Sequence, residues 1–112
     1  MPVFITQGRF TREAVAGMIM RPEDRSEAVA QLFAKSGGKL LSYYMTFGDY
    51  DFMLVSEGPQ EGVATAAIIA AAAGGVTDLK TTLAMTGSEM KDAFAKAAPL
   101  AASFRAAGQA RA

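Results

Sequence analysis

The alternation of apolar and polar residues predicts a chain that begins with a strand and two helical segments. Residues 3–10 combine Val, Ile and Phe with Thr, a composition typical of strands, and Thr11 follows as a plausible helix N-cap. The helical pattern then continues to Met20 and is interrupted at Pro22. The second helical segment starts directly afterwards, and Gly37 supplies the left-handed residue that ends it.

Two strand-like runs come next, over residues 39–47 and 50–57. Gly48 and Asp49 separate them, and a Gly-X pair in this position indicates a two-residue hairpin of type II′, with type I′ as the alternative. The register that follows pairs Phe47 with Tyr50, Thr46 with Asp51, Met45 with Phe52 and Tyr44 with Met53.

This register divides the hairpin into two faces. One face is aromatic and aliphatic throughout and should contact the helices: Leu41, Tyr43, Met45, Phe47, Tyr50, Phe52 and Leu54. The opposite face is mixed: Leu40, Ser42, Tyr44, Thr46, Asp51, Met53 and Val55. Because the mixed face is too apolar to be left wholly in water, we expect something to cover it.

The second half of the chain predicts a helix, a strand and a further helix. Pro59 opens an Ala-rich helix that ends at Gly74, and residues 76–85 form the last strand. Thr86, three residues before Glu89, predicts a capping box for a short helix through about residue 96. We expect the Ala-rich residues after Pro99, with Arg105, Gln109 and Arg111, to be a frayed helix or a mobile tail.

The element order is therefore β-α-β-β-α-β with an appended helix, which predicts an α+β fold of the ferredoxin-like type. Such a sandwich has a four-stranded antiparallel sheet with its helices on one face. We expect residues 1–96 to form this domain and residues 97–112 to form a C-terminal helix or flexible tail. A half-apolar bare sheet face is commonly buried against a second copy, which gives a dimeric α/β barrel.

Composition narrows the functional classes. The 112 residues fit one domain, and the hydrophobic share of 51% leaves apolar residues for subunit contacts. The 11 basic and 11 acidic residues argue against nucleic-acid or anionic-membrane binding. Because His and Cys are absent, zinc sites, thiolate nucleophiles and Ser-His-Asp triads are excluded, and we expect no metal and no cofactor.

The sequence also bears on location. The N-terminus shows no basic segment followed by a cleavable apolar segment, so we expect a cytoplasmic protein. The most apolar run, residues 63–76, is too short to span a membrane and is interpreted as a buried helix.

Four motifs resemble those of the GYD-domain family. They are Met1-Pro2-x-Phe4-Ile5, Arg21-Pro22-x-x-Arg25, Gly37-Gly38-Lys39-Leu40 and Gly48-Asp49-Tyr50-Asp51, the last matching the Gly-x-Tyr-Asp signature that names the family. The resemblance covers roughly residues 1–96. It implies a dimeric α/β-barrel-type fold, often in higher oligomers, and names no substrate.

Asp51 and Tyr44 are the candidate catalytic residues. The predicted register places both on the mixed face, where a carboxylate between apolar walls would have a raised pKa and act as a general base. In the alternative interpretation, Asp51 accepts hydrogen bonds from a neighbouring strand or turn and fixes the hairpin.

The candidate ligand-binding residues are Tyr50, Arg25, Thr46 and Met53. Arg25, with Arg21, could hold an anionic group at a helix start. The alternatives are that Tyr50 is a core residue, that Arg25 pairs with Asp51 or Glu57, and that the methionines fill a core or an interface.

Two functions fit these observations. The first is a non-catalytic homo-oligomer, dimeric or larger, that binds a small molecule between sheet and helices or at the dimer barrel. The alternative is a cofactor-independent enzyme, monooxygenase-like or isomerase-like, with Asp51 and Tyr44 as its acid/base pair.

Overall fold

The chain folds around one antiparallel sheet, with the strand order β2-β3-β1-β4. A computed structural model describes residues 1–109, and within them lie the following elements: β1 (Val3–Phe10), α1 (Arg12–Met20), α2 (Ser26–Lys35), β2 (Lys39–Met45), β3 (Phe52–Glu57), α3 (Gln60–Ala72), β4 (Val76–Ala84) and α4 (Gly87–Ala101). This order and pairing confirm the predicted ferredoxin-like α+β fold.

Two helices cover one face of the sheet. α2 packs on β2, α3 packs on β4, and the two helices contact each other. The centre of this layer is a cluster of four buried residues: Phe33, Phe52, Leu54 and Ala66. Each contributes apolar area removed from water, which is the main stabilising term of a small domain.

Gly8 allows the aromatic part of this core to close. A Cβ atom at Gly8 would lie 2.6 Å from Cζ of Phe52 and 2.8 Å from Cδ2 of Leu79. The missing side chain lets the Phe52 ring lie against Gly8 and pack beside Phe10 in a tilted arrangement, at a centroid distance of 5.2 Å. A close approach, rather than an unusual φ angle, therefore explains this glycine.

The predicted hairpin register is confirmed at Tyr44, Met45 and Thr46, and the predicted turn is wrong. Met45 pairs with Phe52, and the Thr46 amide donates to the Asp51 carbonyl at 2.9 Å. β2 nevertheless ends at Met45 and β3 begins at Phe52, so residues 46–51 form a connection longer than the predicted two-residue turn. Type I′ and type II′ turns both need positive φ at Gly48, which is not among the positive-φ residues of the described chain.

A β-bulge reverses the predicted faces at the start of β2. The register shifts between Leu40 and Ser42, so Leu41 is an extra residue opposite β3. Leu40 consequently packs against the buried cluster, whereas Leu41 is exposed. The prediction placed Leu41 against the helices and Leu40 on the mixed face. Both placements are wrong, because one inserted residue inverts the alternation of side chains. Met45 and Phe47, also expected against the helices, are exposed as well.

The other outer strand, β4, has a comparable irregularity. Its register against β1 shifts between Gln7 and Arg9, where Asp78 adopts a positive φ of 53°. A non-glycine residue in this left-handed region is uncommon and often marks a bulge. Each outer strand of the sheet therefore departs from regular pairing.

Helix ends follow the predicted caps with two changes. Thr11 caps α1 by accepting the Ala14 amide at 3.2 Å, as predicted. α2 begins at Ser26, later than the sequence indicates, because the Asp24 carboxylate accepts the Ser26 amide at 2.9 Å and forms a turn before the helix.

The capping box of α4 is confirmed, but the helix is longer than predicted. Thr86 and Glu89 exchange hydrogen bonds of 2.9 and 3.1 Å, and α4 continues through Pro99 to Ala101. The expected domain boundary at residue 96 thus falls inside this helix and stays a prediction. Residues 110–112 at the end of the expected tail lie outside the described residues.

The apolar helix α3 is buried on one side. Val63 and Ala66 are buried, while Ile68 on the opposite side is exposed, so the buried-helix interpretation holds for one side of the helix only. Across residues 1–109, no helix combines the length and hydrophobicity needed to cross a membrane. The cytoplasmic location stays a prediction.

We expect Gly8→Ala to lower the free energy of unfolding by about 1–3 kcal/mol, because the new methyl group overlaps Phe52 and Leu79. Urea denaturation measures the change. Gly17→Ala is the matched control, since its Cβ meets no atom within 4 Å and alanine is the better helix former. Equal effects of the two substitutions would contradict the close-packing explanation.

Candidate functional site

Hydrogen bonds hold the connection between β2 and β3 to the end of β1. The Asp51 carboxylate accepts the Phe10 amide at 2.9 Å, and the Asp51 amide donates to the Gly8 carbonyl at 2.8 Å. Arg9 Nε donates to the Asp49 carbonyl at 2.7 Å. These bonds join two segments about forty residues apart in sequence and fix where β1 ends.

Tyr50 takes part in the same attachment. Its ring lies 5.6 Å from the guanidinium carbon of Arg9, within cation-π range, and its carbonyl accepts the Thr46 hydroxyl at 2.7 Å. Tyr50 is not a member of the buried core cluster among the described residues. The interpretation of Tyr50 as a core residue is therefore wrong.

Asp51 has the structural role that the sequence offered as an alternative. Its carboxylate is engaged by the Phe10 amide, so the prediction that it bonds a neighbouring strand is confirmed. Tyr44 pairs with Met53 and is 60% exposed. In residues 1–109 no hydrogen bond connects Tyr44 with Asp51, and their acid/base role stays a prediction.

A cleft of about 620 Å³ lies where α1, α2 and α3 meet above the end of the sheet. Beneath it is a smaller apolar cavity of about 80 Å³, between the sheet and helices α2 and α3. Both spaces share these lining residues: Phe10, Val29, Leu32, Tyr43, Ala70 and Val76. The outer cleft and inner cavity therefore adjoin, and together we call them the helix cleft.

Charged residues line the open end of the helix cleft. Arg21, Glu23 and Arg25 come from the segment between α1 and α2. Arg25 forms an ion pair with Glu23 at 3.0 Å, and both side chains are exposed. The predicted pairing of Arg25 with Asp51 or Glu57 is therefore wrong, because a carboxylate two residues away is closer.

Tyr43 lies at the junction of the two spaces. Burial is the largest cause that raises the pKa of its phenol; the positive charge of Arg25 lowers the pKa, and the negative charge of Asp24 adds to the rise. The hydroxyl therefore keeps its proton at neutral pH and can donate a hydrogen bond. The sequence places Tyr43 towards the helices, but the tyrosine named as a candidate catalytic residue is Tyr44.

The six predicted site residues fall into two groups. Arg25 lines the helix cleft. The other five, Tyr44, Thr46, Tyr50, Asp51 and Met53, lie on the hairpin. Within residues 1–109, no three carboxylates gather where they could hold a metal ion.

A comparison with known protein families finds a match. A family model described as GYD domain matches residues 4–94, from β1 into the first half of α4. No curated protein matches the chain.

We expect Asp51→Ala to lower the free energy of unfolding by about 1–3 kcal/mol, because the part-buried Phe10 amide loses its charged acceptor. Chemical denaturation provides the measurement. Asp49→Ala is the control: it keeps the backbone carbonyl that Arg9 contacts, so its effect should stay within about 0.5 kcal/mol. A neutral Asp51→Ala variant would contradict the structural role.

Proposed function

The chain belongs to the GYD-domain family, whose model matches residues 4–94, and we propose that it is a non-catalytic, self-associating protein that binds a small molecule between its sheet and its helices. The helix cleft is the observation that carries this proposal. Its outer part, about 620 Å³, lies within the range of about 300–1,000 Å³ typical of small-molecule sites.

Small residues on the helices leave this space open. Ala14 and Gly17 of α1 and Ala70 of α3 line the cleft at positions where larger side chains would fill it. The deep end is apolar and includes Phe10, and Leu79 lines the inner cavity. A ligand with a slender apolar body therefore fits this part, since burying it removes apolar surface from water.

The open end favours an acidic head group. Arg21 and Arg25 carry two positive charges against the one negative charge of Glu23. Guanidinium groups bind carboxylates through paired hydrogen bonds, and the protonated Tyr43 hydroxyl adds a donor deeper in the cleft. The ligand class that matches both ends is an elongated apolar molecule with one acidic group.

Self-association is the second part of the proposal. The sheet face opposite α2 and α3 holds Ile5, Met53 and Val55, which alternate along their strands with buried residues. A second copy packed on this face would give the dimeric α/β barrel expected from the sequence.

The enzyme alternative has less support. The Asp51 carboxylate already binds the Phe10 amide, so using it as a base would compete with holding β1 to the hairpin. Tyr44 and Asp51 also lie outside the helix cleft.

We expect decanoate to raise the melting temperature in a dose-dependent way, because a ligand that binds only the folded state stabilises it. Decanol and decyltrimethylammonium carry the same alkyl chain without the acidic group. We expect decanol to raise the melting temperature less than decanoate does, and decyltrimethylammonium not to raise it. In an Arg21→Gln/Arg25→Gln double variant, the preference for decanoate over decanol should disappear.

Ala70→Phe tests whether the helix cleft is the binding site. The added ring occupies space shared by the cleft and inner cavity, so the decanoate shift should be lost. Ala71→Phe, on the exposed side of α3, should keep it. Flat responses to all three amphiphiles, or an unchanged shift in Ala70→Phe, would overturn the proposed site.

We expect Val55→Lys to weaken self-association, because it places a charge in the middle of the bare sheet face. Sedimentation velocity measures the association constant. Ile68→Lys introduces the same charge on the exposed side of α3 and is the control. A wild-type chain that sediments as a monomer at all concentrations would disprove this part of the proposal.

A further inference from the structure

Helix α4 projects away from the rest of the chain. It follows the outer strand β4, and none of its 15 residues is buried. The radius of gyration is 18.8 Å, whereas a compact domain of this length has about 13 Å, and the longest dimension reaches 66 Å. A projecting helix of about 22 Å explains this elongated shape.

The helix is capped at its N-terminus but does not bury its apolar side within its own chain. At about 100° per residue, one side of α4 collects the following apolar residues: Met90, Ala93, Phe94, Ala97, Leu100 and Ala101. We call this set the α4 stripe. Phe94 at its centre is 69% exposed. Helices of this length are marginal alone in water, so α4 requires a surface on which to pack.

The total surface area indicates how much contact is missing. The chain exposes 8288 Å², whereas a folded monomer of 11.7 kDa exposes about 5,900 Å². The excess of about 2,400 Å² is larger than the roughly 800 Å² that each partner buries in a standard stable interface. One copy therefore has enough surplus surface for a stable contact with another.

We propose that α4 is an arm that docks through the α4 stripe onto a second copy of this chain. This inference rests on the self-association proposed above and adds a contact outside the bare sheet face. The charges of α4 balance, with Glu89 and Asp92 against Lys91 and Lys96, and the whole chain has zero net charge. Such a helix lacks the basic face of membrane-surface helices, so apolar packing on an equally neutral copy is its best match.

Tryptophan fluorescence tests this arrangement directly, because the chain contains no tryptophan. Phe94→Trp places the probe in the α4 stripe, and Ala95→Trp places it on the opposite side of the same helix. Both variants are followed by emission spectra and sedimentation velocity over one dilution series.

We expect the Phe94→Trp emission to be blue-shifted where the chain is oligomeric and to move to longer wavelength on dilution to monomer. Ala95→Trp should stay at the longer wavelength throughout.

In matched charge variants, Phe94→Glu should weaken association at least about tenfold, as a truncated interface anchor does, and Ala95→Glu should not.

The failures are distinguishable. Oligomers in which Phe94→Trp stays solvent-exposed would overturn the docking of α4 and leave association through the sheet intact. A monomer at every concentration would overturn both. A blue shift that survives dilution to monomer would mean that α4 packs on its own chain. A blue shift that appears only with anionic lipid vesicles would mean that α4 binds a membrane surface. Either outcome overturns the inference.

Discussion

The hydrogen bond from the Phe10 amide to the Asp51 carboxylate links the fold to the candidate site. It holds the end of β1 to the hairpin, so Phe10 is fixed where its ring lines the helix cleft. Thr11 follows at once, capping α1 and bonding the carbonyls of Gly74 and Gly75. The charged acceptor therefore acts together with these bonds and with the pairing of Phe10 and Val76 to set the position of α1, and with it the shape of the cleft.

Much of this architecture is readable from the sequence because the deciding interactions are local. The capping box at Thr86 requires side chains only three residues apart, and the register of the hairpin follows from two strands joined by a short connection. The Gly-x-Tyr-Asp signature marks the correct segment. The structure adds its physical meaning, since Tyr50 contacts Arg9 and Asp51 binds the Phe10 amide.

The site was less predictable because it depends on contacts between distant segments. The bulge at Leu41 leaves the alternation of residues apparently regular, yet it exchanges Leu40 and Leu41 between the faces. The helix cleft exists because three helices leave a gap over Tyr43, and helix packing angles are not encoded in the periodicity of one segment. Strand alternation did place Tyr43 on the correct side of the sheet.

The irregular outer strands restrict how copies of this chain can assemble. An uninterrupted outer strand offers unpaired amides and carbonyls to the next molecule, and sheet growth by that route has no natural end. The bulge in β2 and the left-handed Asp78 in β4 disturb both margins of this sheet. In the proposed self-association, this would direct contacts between copies to sheet faces and helices, where symmetric contacts close on themselves and give particles of finite size instead of fibres.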